Sequence, residues 1–231
     1  MKTAVLSDIH ANIQALEAVL KDCKEQETDS FWLLGDYVDY GACPIETVRR
    51  IESLNVEYMI SGNHDACLYL DSVRSSATPH GRKAYEYTKK VVLENRELFK
   101  MIESVADRPY LYLPEHKTIL VHGTPGDPYW GKFQPGEDPG YLFDAMEQQD
   151  ARLMLMGHSH ISFLLMKNGR RIINPGSVGQ PRDGCSEASY VILDGDAVIF
   201  RRVKYDIDSA ADAIRRADLP EYLRERLYKG I

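Results

Sequence analysis

The feature that most constrains the fold of this 231-residue chain is a series of short apolar runs, rich in β-branched and aromatic residues. Runs of this length and composition predict strands. The first five each end just before a polar cluster that contains His, Asp or Asn. The predicted strands are Thr3 to Leu6, Phe31 to Leu34, Glu57 to Ile60, Thr118 to Val121, Leu153 to Met156, Phe163 to Met166, Arg171 to Ile173, Tyr190 to Leu193 and Ala197 to Val203.

Helical patterns separate the early strands. Apolar residues recur at helical spacing over Asn12 to Cys23 and again over Ile45 to Leu54. Strands that alternate with helices predict parallel pairing, with the helices packed outside the sheet. The last third differs, because its strands follow one another and are broken by the hairpin dipeptides Asn168-Gly169 and Asp194-Gly195. We therefore expect an antiparallel or mixed second region there.

Two segments carry no strand signal. Residues 68–105 are rich in charge and tyrosine and show helical spacing, which predicts a helical insertion that covers the site formed by the strand ends. Residues 126–140 contain three prolines and four glycines, which predicts a loop. Its aromatic residues Tyr129, Trp130 and Phe133 fit two interpretations. The loop either covers a substrate pocket, where the rings could stack on a nucleobase, or lies on the surface with rings that pack locally.

Length and composition limit the classes of protein to which the chain can belong. Its length favours one domain over residues 1–231 rather than two small ones. A formal net charge of −7 disfavours a protein that holds nucleic acid through its phosphates, so we expect no stable nucleic-acid complex. No run approaches the roughly 20 apolar residues of a membrane span, and the first residues do not resemble a signal peptide. We therefore expect a cytoplasmic protein without a membrane partner.

The clusters after the first two strands contain carboxylates suited to a metal. Asp8 and His10 are two residues apart and would face the same side of an extended chain, where both could bind one metal. Taken alone, such residues are more often helix caps or solvated groups. Asp36 follows Gly35, which permits unusual backbone angles, and its carboxylate can bridge two cations whereas a neutral imidazole cannot. Asp36 is the candidate bridge, and Asp39 is interpreted as a turn residue or a support for the ligands.

The third cluster contains Asn63, His64 and Asp65. An Asn ligand supplies an oxygen without adding negative charge, which keeps a metal centre attractive to phosphate. Because adjacent side chains point in different directions, we assign a metal to Asn63. Proton transfer or charge stabilisation is assigned to His64, with Asp65 as the group that orients it.

Two further clusters supply imidazoles. His122 follows the fourth strand, and the tetrapeptide Gly157-His158-Ser159-His160 follows the fifth. A Gly-His-x-His sequence should occur by chance in about one such chain in a hundred, so it is the strongest single signal. Its two imidazoles could bind one zinc, or a turn of the backbone could send them to different metals.

The motifs Asp-x-His, Gly-Asp, Gly-Asn-His-Asp, His-Gly and Gly-His-x-His occur in this order, and the set resembles the calcineurin-like metallophosphoesterase superfamily. The resemblance implies an α/β fold: a four-layer α/β/β/α sandwich of two mixed sheets flanked by helices, here with a helical cap insertion. It also implies that His64 is the catalytic histidine and that Asp36 bridges two metals. The other ligands that it implies are Asp8, His10 and His160 for the first metal and Asn63, His122 and His158 for the second.

Two segments narrow the resemblance. Residues 8–12 (DIHAN) and 174–182 (NPGSVGQPR) resemble the small one-domain bacterial and archaeal branch of the superfamily. That branch includes phosphodiesterases, protein-phosphatase-like enzymes and symmetrical diadenosine tetraphosphate hydrolases. Arg182 and Asn12 are the candidate phosphate contacts, Arg182 because a guanidinium matches phosphate oxygens. The alternative for Arg182 is an exposed residue in a glycine-rich turn.

The expected activity is hydrolysis of phosphoric esters through attack by a hydroxide that bridges two divalent metal ions. Nitrogen and oxygen ligands suit manganese, iron, nickel, cobalt or zinc, and the resembled family favours manganese. The favoured substrate is a small nucleotide-type phosphodiester. The chain could instead be a phosphomonoesterase or protein phosphatase, or a symmetrical dinucleoside tetraphosphate hydrolase. Outside enzymes it could be a catalytically silent scaffold, and the lack of a phosphate-binding glycine loop disfavours a nucleotide switch.

Overall fold

The computed structural model describes residues 2–75 and 78–231, and the strands in these ranges pair into two five-stranded sheets. The strands are β1 (Lys2–Leu6), β2 (Ser30–Leu33), β3 (Val56–Met59), β4 (Tyr110–Leu113), β5 (Thr118–Val121), β6 (Leu153–Met156), β7 (Phe163–Lys167), β8 (Arg170–Asn174), β9 (Ala188–Asp194) and β10 (Ala197–Val203). The helices are α1 (Ile13–Glu25), α2 (Pro44–Glu52), α3 (Asn63–Ala66), α4 (Pro79–Glu94), α5 (Lys100–Glu103), α6 (Gly140–Gln148), α7 (Ile207–Arg216) and α8 (Glu221–Lys229), with a 3₁₀ turn at Pro114–His116.

Both sheets are mixed. The first has the order β10-β9-β1-β2-β3, in which β1, β2 and β3 run parallel and β9 is antiparallel to its two neighbours. The second has the order β4-β5-β6-β8-β7, in which β5, β6 and β8 run parallel and the two edge strands are antiparallel. Two mixed sheets flanked by helices confirm the predicted α/β fold.

Side-chain alternation along the strands produces the layers. In β1, Val5 packs into the cluster between the two sheets, while Ala4 and Leu6 face the helices. On the outer side of the first sheet, α1 buries Leu16 and Val19, which lie on one helical face. The outer side of the second sheet is covered by α6. Apolar cores therefore separate four layers.

The nine predicted strands are present, with ends that differ from the prediction by no more than two residues. The strand β4 was missed, because Tyr-Leu-Tyr-Leu is short and only half-buried at a sheet edge. The expectation that the last strands form one second region was wrong. The hairpin β7–β8 joins the second sheet, but β9–β10 crosses to the first sheet and pairs with β1. Such long-range pairing has no local sequence signal.

Helices α4 and α5 lie in the segment predicted as a helical insertion, of which residues 76 and 77 lie outside the described residues. Their buried side chains, including Val92, Phe99 and Ile102, join the core on the helical side of the first sheet. Ala84 of α4 packs near Tyr40, in the loop that follows β2. Among the residues that the structure describes, no helix combines the length and apolar character that a membrane span requires.

Candidate metal centre

The predicted ligand segments leave their strands through sharp turns. Left-handed backbone angles cost about 1–2 kcal/mol for a non-glycine residue and are concentrated at functional sites. Asp8 and His10 are therefore brought together by tight turns and not by the extended chain that their spacing suggested, which corrects the reasoning behind that prediction. Within the described residues, the left-handed non-glycine residues of these segments are Asp8, His10, Ala11, Asp36, Asp39, Tyr40, His158 and His160.

Asp8, His10, Asp36 and His160 form the first cluster. Each offers one ligand atom, and these atoms all lie within 4.8 Å of one another. Oδ1 of Asp8 lies 3.1 Å from Nε2 of His160. Oδ2 of Asp36 lies 3.6 Å from Nε2 of His10. All four side chains are buried, so the cluster holds its two carboxylates away from bulk water.

Asp36 also belongs to a second cluster, with His122 and His158. Oδ2 of Asp36 lies 3.3 Å from Nε2 of His122, and Oδ1 of Asn63 lies 3.1 Å from the same nitrogen. The two imidazoles of Gly-His-x-His fall in different clusters, because His160 belongs to the first. The structure therefore brings the seven predicted ligands together around two sites that share Asp36.

Backbone contacts fix the orientation of three imidazoles. Nδ1 of His10, His122 and His160 lies 3.3, 2.8 and 2.6 Å from the carbonyl oxygens of Val38, Leu34 and Gln180, respectively. If each Nδ1–H donates to its carbonyl, each neutral ring presents the lone pair of Nε2 to the site. This arrangement is typical of histidines that bind metals.

Both carboxylates are also oriented. Oδ2 of Asp8 accepts from the hydroxyl of Ser7 and the backbone N–H of His158. Oδ1 of Asp36 accepts from the backbone N–H of His64. The remaining oxygens, Oδ1 of Asp8 and Oδ2 of Asp36, are buried without a hydrogen-bond partner. Buried polar atoms without a partner are rare in proteins, so these two oxygens are the ones that a cation would satisfy.

The donor atoms fit divalent cations. Nε2 of His10 and Nε2 of His160 lie 3.2 Å apart, and when both rings carry their proton on Nδ1 two lone pairs face each other, which a shared cation would relieve. Burial, the largest cause, holds the pKa of both histidines well below the ordinary value and favours the neutral form that binds metals. Nitrogen and oxygen donors without thiolate suit manganese, iron, cobalt, nickel or zinc.

The other two histidines of the clusters differ from each other. Burial, followed by the charge of His122, lowers the pKa of His158 to about 3. Burial, the largest cause, opposes protonation of His122 as well, but the contacts with Asp36, the charge of Asp8 and the Leu34 carbonyl together outweigh it and raise the pKa of His122 to about 9. The rise reflects an anionic carboxylate beside the ring, and a bound cation would take the place of that proton.

His64 lies beside the clusters and pairs with Asp39. Nδ1 of His64 is 2.5 Å from Oδ2 of Asp39, and the ring centroid is 4.5 Å from that of Tyr40. Burial lowers the pKa of His64, but Tyr40, Asp36 and Asp39 outweigh it and raise the pKa to about 10. The contact with the Asp39 carboxylate favours the protonated imidazole, which can donate a proton.

The prediction that Asp65 orients His64 was wrong. The carboxylate of Asp65 accepts from the backbone N–H groups of Asp36, Tyr37 and Gly62 at 2.6, 2.9 and 3.0 Å. It satisfies the donors of the turns after β2 and β3, which would otherwise be buried without partners. The spacing Gly-Asp-x-x-Asp, which puts a second carboxylate three residues after Asp36, was the signal for Asp39 as the partner of His64.

Asn12 has structural contacts in the fold, and its role as a phosphate contact stays a prediction. Its Oδ1 accepts from the N–H of Ala15 at 3.1 Å, which caps α1, and its Nδ2 donates to the carbonyl of Gly179 at 2.9 Å. The side chain is 5% exposed. Through these two contacts Asn12 connects the start of α1 to the loop that precedes Arg182.

Arg182 lies next to the first cluster. Its backbone N–H donates to the carbonyl of His160, and its Nη2 donates to Oε1 of Gln180 at 2.8 Å. The guanidinium carbon lies 5.9 Å from the centroid of the Tyr40 ring. The side chain is half-buried, and its role as a phosphate contact stays a prediction.

The aromatic residues of the loop have separate roles. Phe133 is buried and packs on Phe163 in the core of the second sheet, and the hydroxyl of Tyr129 donates to the carbonyl of Ala106. Trp130 is 39% exposed, with its ring 6.4 Å from that of His64 and 5.9 Å from that of His158. Phe133 and Tyr129 therefore pack locally, whereas the ring of Trp130 lies next to the metal-ligand clusters.

Two residues near the site were not found from sequence. The ring of Tyr40 lies 4.9 Å from that of His10 and 4.5 Å from that of His64. Arg226 of α8 places its guanidinium carbon 5.7 Å from the centroid of Tyr40. The position of Tyr40 directly after Asp39 was a usable signal. Arg226 had none, because charged residues surround it in α8 as they do on any solvent-facing helix.

Comparison with known proteins places the chain in a family. Residues 1–197 match the calcineurin-like phosphoesterase superfamily domain. An uncharacterised protein of Methanocaldococcus jannaschii is 37% identical over 98% of this chain and 97% of its own length. The symmetrical bis(5'-nucleosyl)-tetraphosphatase of Erwinia tasmaniensis is 28% identical over 56% of this chain, which spans 46% of that enzyme.

Solved structures agree with this assignment. The crystal structure of a metallophosphoesterase from Sphaerobacter thermophilus has a TM-score of 0.85 and 34% identity, and the match covers 100% of this chain and 99% of that one. A hypothetical protein of Pyrococcus horikoshii shares the fold, with a TM-score of 0.85 at 23% identity over 100% of this chain and 98% of that one. This chain belongs to the calcineurin-like phosphoesterase superfamily, a family that uses divalent metal ions to hydrolyse phosphoric esters.

Proposed function

We propose that the chain is a dinuclear metal-dependent phosphodiesterase that acts on small nucleotide-type substrates. The observation that carries the proposal is the pair of carboxylate and imidazole clusters that share Asp36. Paired sites of this kind suit displacement at phosphorus, because the attacking and leaving oxygens both need stabilisation. Family membership supports the hydrolysis of phosphoric esters.

The proposed metal ligands divide between two ions. Asp8, His10, Asp36 and His160 would hold one, and Asp36, Asn63, His122 and His158 the other. When bound, divalent cations supply positive charge to phosphate oxygens and lower the pKa of water. Manganese is our first choice for both sites because the resembled family favours it, although the oxygen and nitrogen donors also suit iron, cobalt, nickel or zinc.

His64 is the proposed proton donor to the leaving oxygen. Its contact with Asp39 holds the ring in place and stabilises its charged form, as a catalytic acid requires. Trp130 offers an exposed ring over the clusters that could stack on a nucleobase or another aromatic leaving group. Arg182 is the proposed contact for substrate phosphate.

A second candidate is hydrolysis of symmetrical dinucleoside tetraphosphates. The similarity over 132 residues to the Erwinia tetraphosphatase favours this activity over that of a phosphomonoesterase or a protein phosphatase, and over a silent scaffold. The shared region spans less than half of that enzyme, so its activity comes to this chain only as a proposal.

The test is hydrolysis by chelator-stripped protein, with and without added manganese, of three compounds. They are bis-p-nitrophenyl phosphate, p-nitrophenyl phosphate and diadenosine tetraphosphate. We expect manganese-dependent turnover, fastest with a diester. Faster turnover of the tetraphosphate would favour the second candidate, and no turnover of any compound by manganese-loaded protein would support a silent scaffold.

A further inference from the structure

Tyr40 has a backbone conformation that is costly for its residue type. Its φ is +61°, and that of Asp39 before it is +73°. A left-handed backbone costs about 1–2 kcal/mol for a non-glycine residue, and Asp and Asn adopt it more often than Tyr does. Such a conformation persists where the surrounding structure holds it. Contacts of Tyr40 must therefore offset the cost.

Apolar side chains from three helices hold the Tyr40 ring. The residue is 9% exposed and packs in a cluster with side chains of α4, of α7 and α8, and of the turn between α7 and α8. Both α7 and α8 lie beyond residues 1–197, which match the family domain. The buried partners in this cluster are Ala84, Ala210, Ile214, Leu219, Leu223 and Leu227.

The same ring contacts two histidines of the candidate metal centre. Its centroid lies 4.5 Å from that of His64, with the ring planes tilted by 54°, and 4.9 Å from that of His10, with a tilt of 55°. Aromatic pairs at such separations contribute about 0.5–1.5 kcal/mol beyond the area that they bury. The ring of Trp130 lies farther from His64, at 6.4 Å, and is 39% exposed. Among the ring contacts of His64 within the described residues, that with Tyr40 is the closest.

The backbone of Tyr40 reaches His64 by a second route. Its N–H donates to Oδ1 of Asp39 at 2.8 Å, and Oδ2 of the same carboxylate lies 2.5 Å from Nδ1 of His64. With Nδ1 beside Asp39, Nε2 is the nitrogen left to serve a substrate. A contact at Nδ1 alone would let the imidazole tilt about that atom, and the Tyr40 ring restricts this motion. Misplacement of a reacting group by about 1 Å can cost about 100-fold in rate.

We propose that Tyr40 is a positioning residue that holds His64 at the angle required for proton donation and connects this angle to the packing of α4, α7 and α8. The inference rests on the proposed function and deepens it, because it assigns the geometry of the proposed acid to a residue that is not a metal ligand. The effect comes from the ring of Tyr40 and not from its hydroxyl.

The first test separates kcat from KM in the manganese-loaded enzyme. Tyr40→Leu should lower kcat for bis-p-nitrophenyl phosphate at least about tenfold, with KM and metal content within about twofold of wild type. Tyr40→Phe keeps the ring and should restore kcat to within about threefold of wild type. In a His64→Ala background, Tyr40→Leu should change kcat less than about twofold, because residues that act as a unit are not additive. The full loss in that background would overturn the proposal.

The second test compares two leaving groups. Diphenyl phosphate releases a more basic phenolate than bis-p-nitrophenyl phosphate does, so it depends more on a positioned acid. The loss of kcat in Tyr40→Leu should be at least about threefold larger with diphenyl phosphate. Ile214→Val is the matched control from the same apolar cluster, and it should cost about 0.5–1.5 kcal/mol of stability and leave the kcat ratio of the two diesters unchanged. Equal losses with both diesters in Tyr40→Leu would contradict a role in proton donation.

The third test is the crystal structure of metal-free Tyr40→Leu, which does not depend on turnover. The His64 ring should lie away from Oδ2 of Asp39 or occupy more than one orientation, whereas Tyr40→Phe should retain the single contact. An unmoved His64 ring in Tyr40→Leu would overturn the proposal. If Tyr40→Leu fails to fold, Tyr40→Asn replaces it, because Asn tolerates the left-handed backbone. Absence of turnover in wild type would count against the proposed function, and the structures would still decide whether Tyr40 positions His64.

Discussion

Two groups of buried or half-buried carboxylates lie near opposite ends of α1, and they differ in whether their oxygens have hydrogen-bond partners. Near the C-terminal end, Asp22 accepts from Nε and Nη2 of Arg201 at 2.9 and 2.7 Å and from the hydroxyl of Tyr190 at 2.6 Å. Near the N-terminal end, roughly 15 Å away by helix rise, one oxygen of Asp8 and one of Asp36 have no hydrogen-bond partner.

The Asp22 network stabilises the fold, whereas the carboxylates of Asp8 and Asp36 keep oxygens free for a ligand. A charge that is fully hydrogen-bonded rigidifies the structure, whereas a buried one without partners lowers stability and is retained for function. The left-handed residues of the metal-ligand turns add strain to the same region. Changes in the two networks should therefore have opposite effects on activity and on stability.

The largest expected effect is that of Asp36→Asn. It removes the charge shared by both clusters and keeps the oxygen that accepts from the N–H of His64. We expect kcat/KM with bis-p-nitrophenyl phosphate to fall by more than about 100-fold, since even residues that only support metal ligands cost 10- to 100-fold. The Tm of the metal-free protein should not fall. A lower Tm with retained activity would make Asp36 part of a stabilising network like that of Asp22.

His64→Ala should separate chemistry from metal binding. Loss of the proposed acid should lower kcat about 10²- to 10⁴-fold while the metal content stays that of wild type. Kinetics and elemental analysis of the same preparation give both values. Loss of metal together with activity would make His64 a ligand.

Asp39→Asn should lower kcat less than His64→Ala does, because Asp39 contacts the His64 ring but is not the proposed acid. Asp65→Asn should mainly lower Tm, because Asp65 binds backbone N–H groups.

In contrast to Asp36→Asn, the substitution Asp22→Asn should lower stability and leave activity unchanged. It weakens the two hydrogen bonds from Arg201 and the one from Tyr190, so we expect the free energy of unfolding to fall by about 1–3 kcal/mol. Urea denaturation measures this loss, and kcat/KM should remain that of wild type. Reduced activity at full stability would contradict the division between the two networks.

The contact between Asp22 and Arg201 also predicts how the free energy of unfolding depends on pH. The hydrogen bond from Arg201 is the main cause that lowers the pKa of Asp22 in the folded state. Its contribution is therefore fully present above the unfolded pKa of about 3.9 and is lost as the pH falls through the folded pKa. The difference in unfolding free energy between wild type and Asp22→Asn should be constant near neutral pH and shrink below about pH 4. If the difference in unfolding free energy between wild type and Asp22→Asn grew below about pH 4, this assignment of the Asp22 contact would be contradicted.

Trp130→Ala should have the smallest effect. Loss of a stacking ring costs about 1–3 kcal/mol per base, which would appear as a higher KM for nucleotide substrates. Phe133→Leu is the control in the same loop, because Phe133 packs in the core and should affect Tm instead. An unchanged KM in Trp130→Ala would remove the ring from the substrate contacts.

Local patterns predicted much of the fold and site. The strands and the ligand clusters at their ends could be read from sequence, because hydrophobic periodicity and the polar residues that follow it are local features. The backbone partners of Asp65 could not, since they depend on which turns bring unpaired N–H groups to its carboxylate. The pairing of β9 with β1 and the approach of Arg226 to Tyr40 join residues far apart in sequence, and the sequence carries no mark of either contact.

The central claim is that two metal ions share Asp36, and the most direct measurement is a manganese titration of metal-free protein that follows bound metal and activity together. Our account predicts two ions per chain in wild type, activity that requires both, and weakened binding of both in Asp36→Asn. Full activity with one bound ion, or an unchanged stoichiometry and affinity in Asp36→Asn, would contradict it.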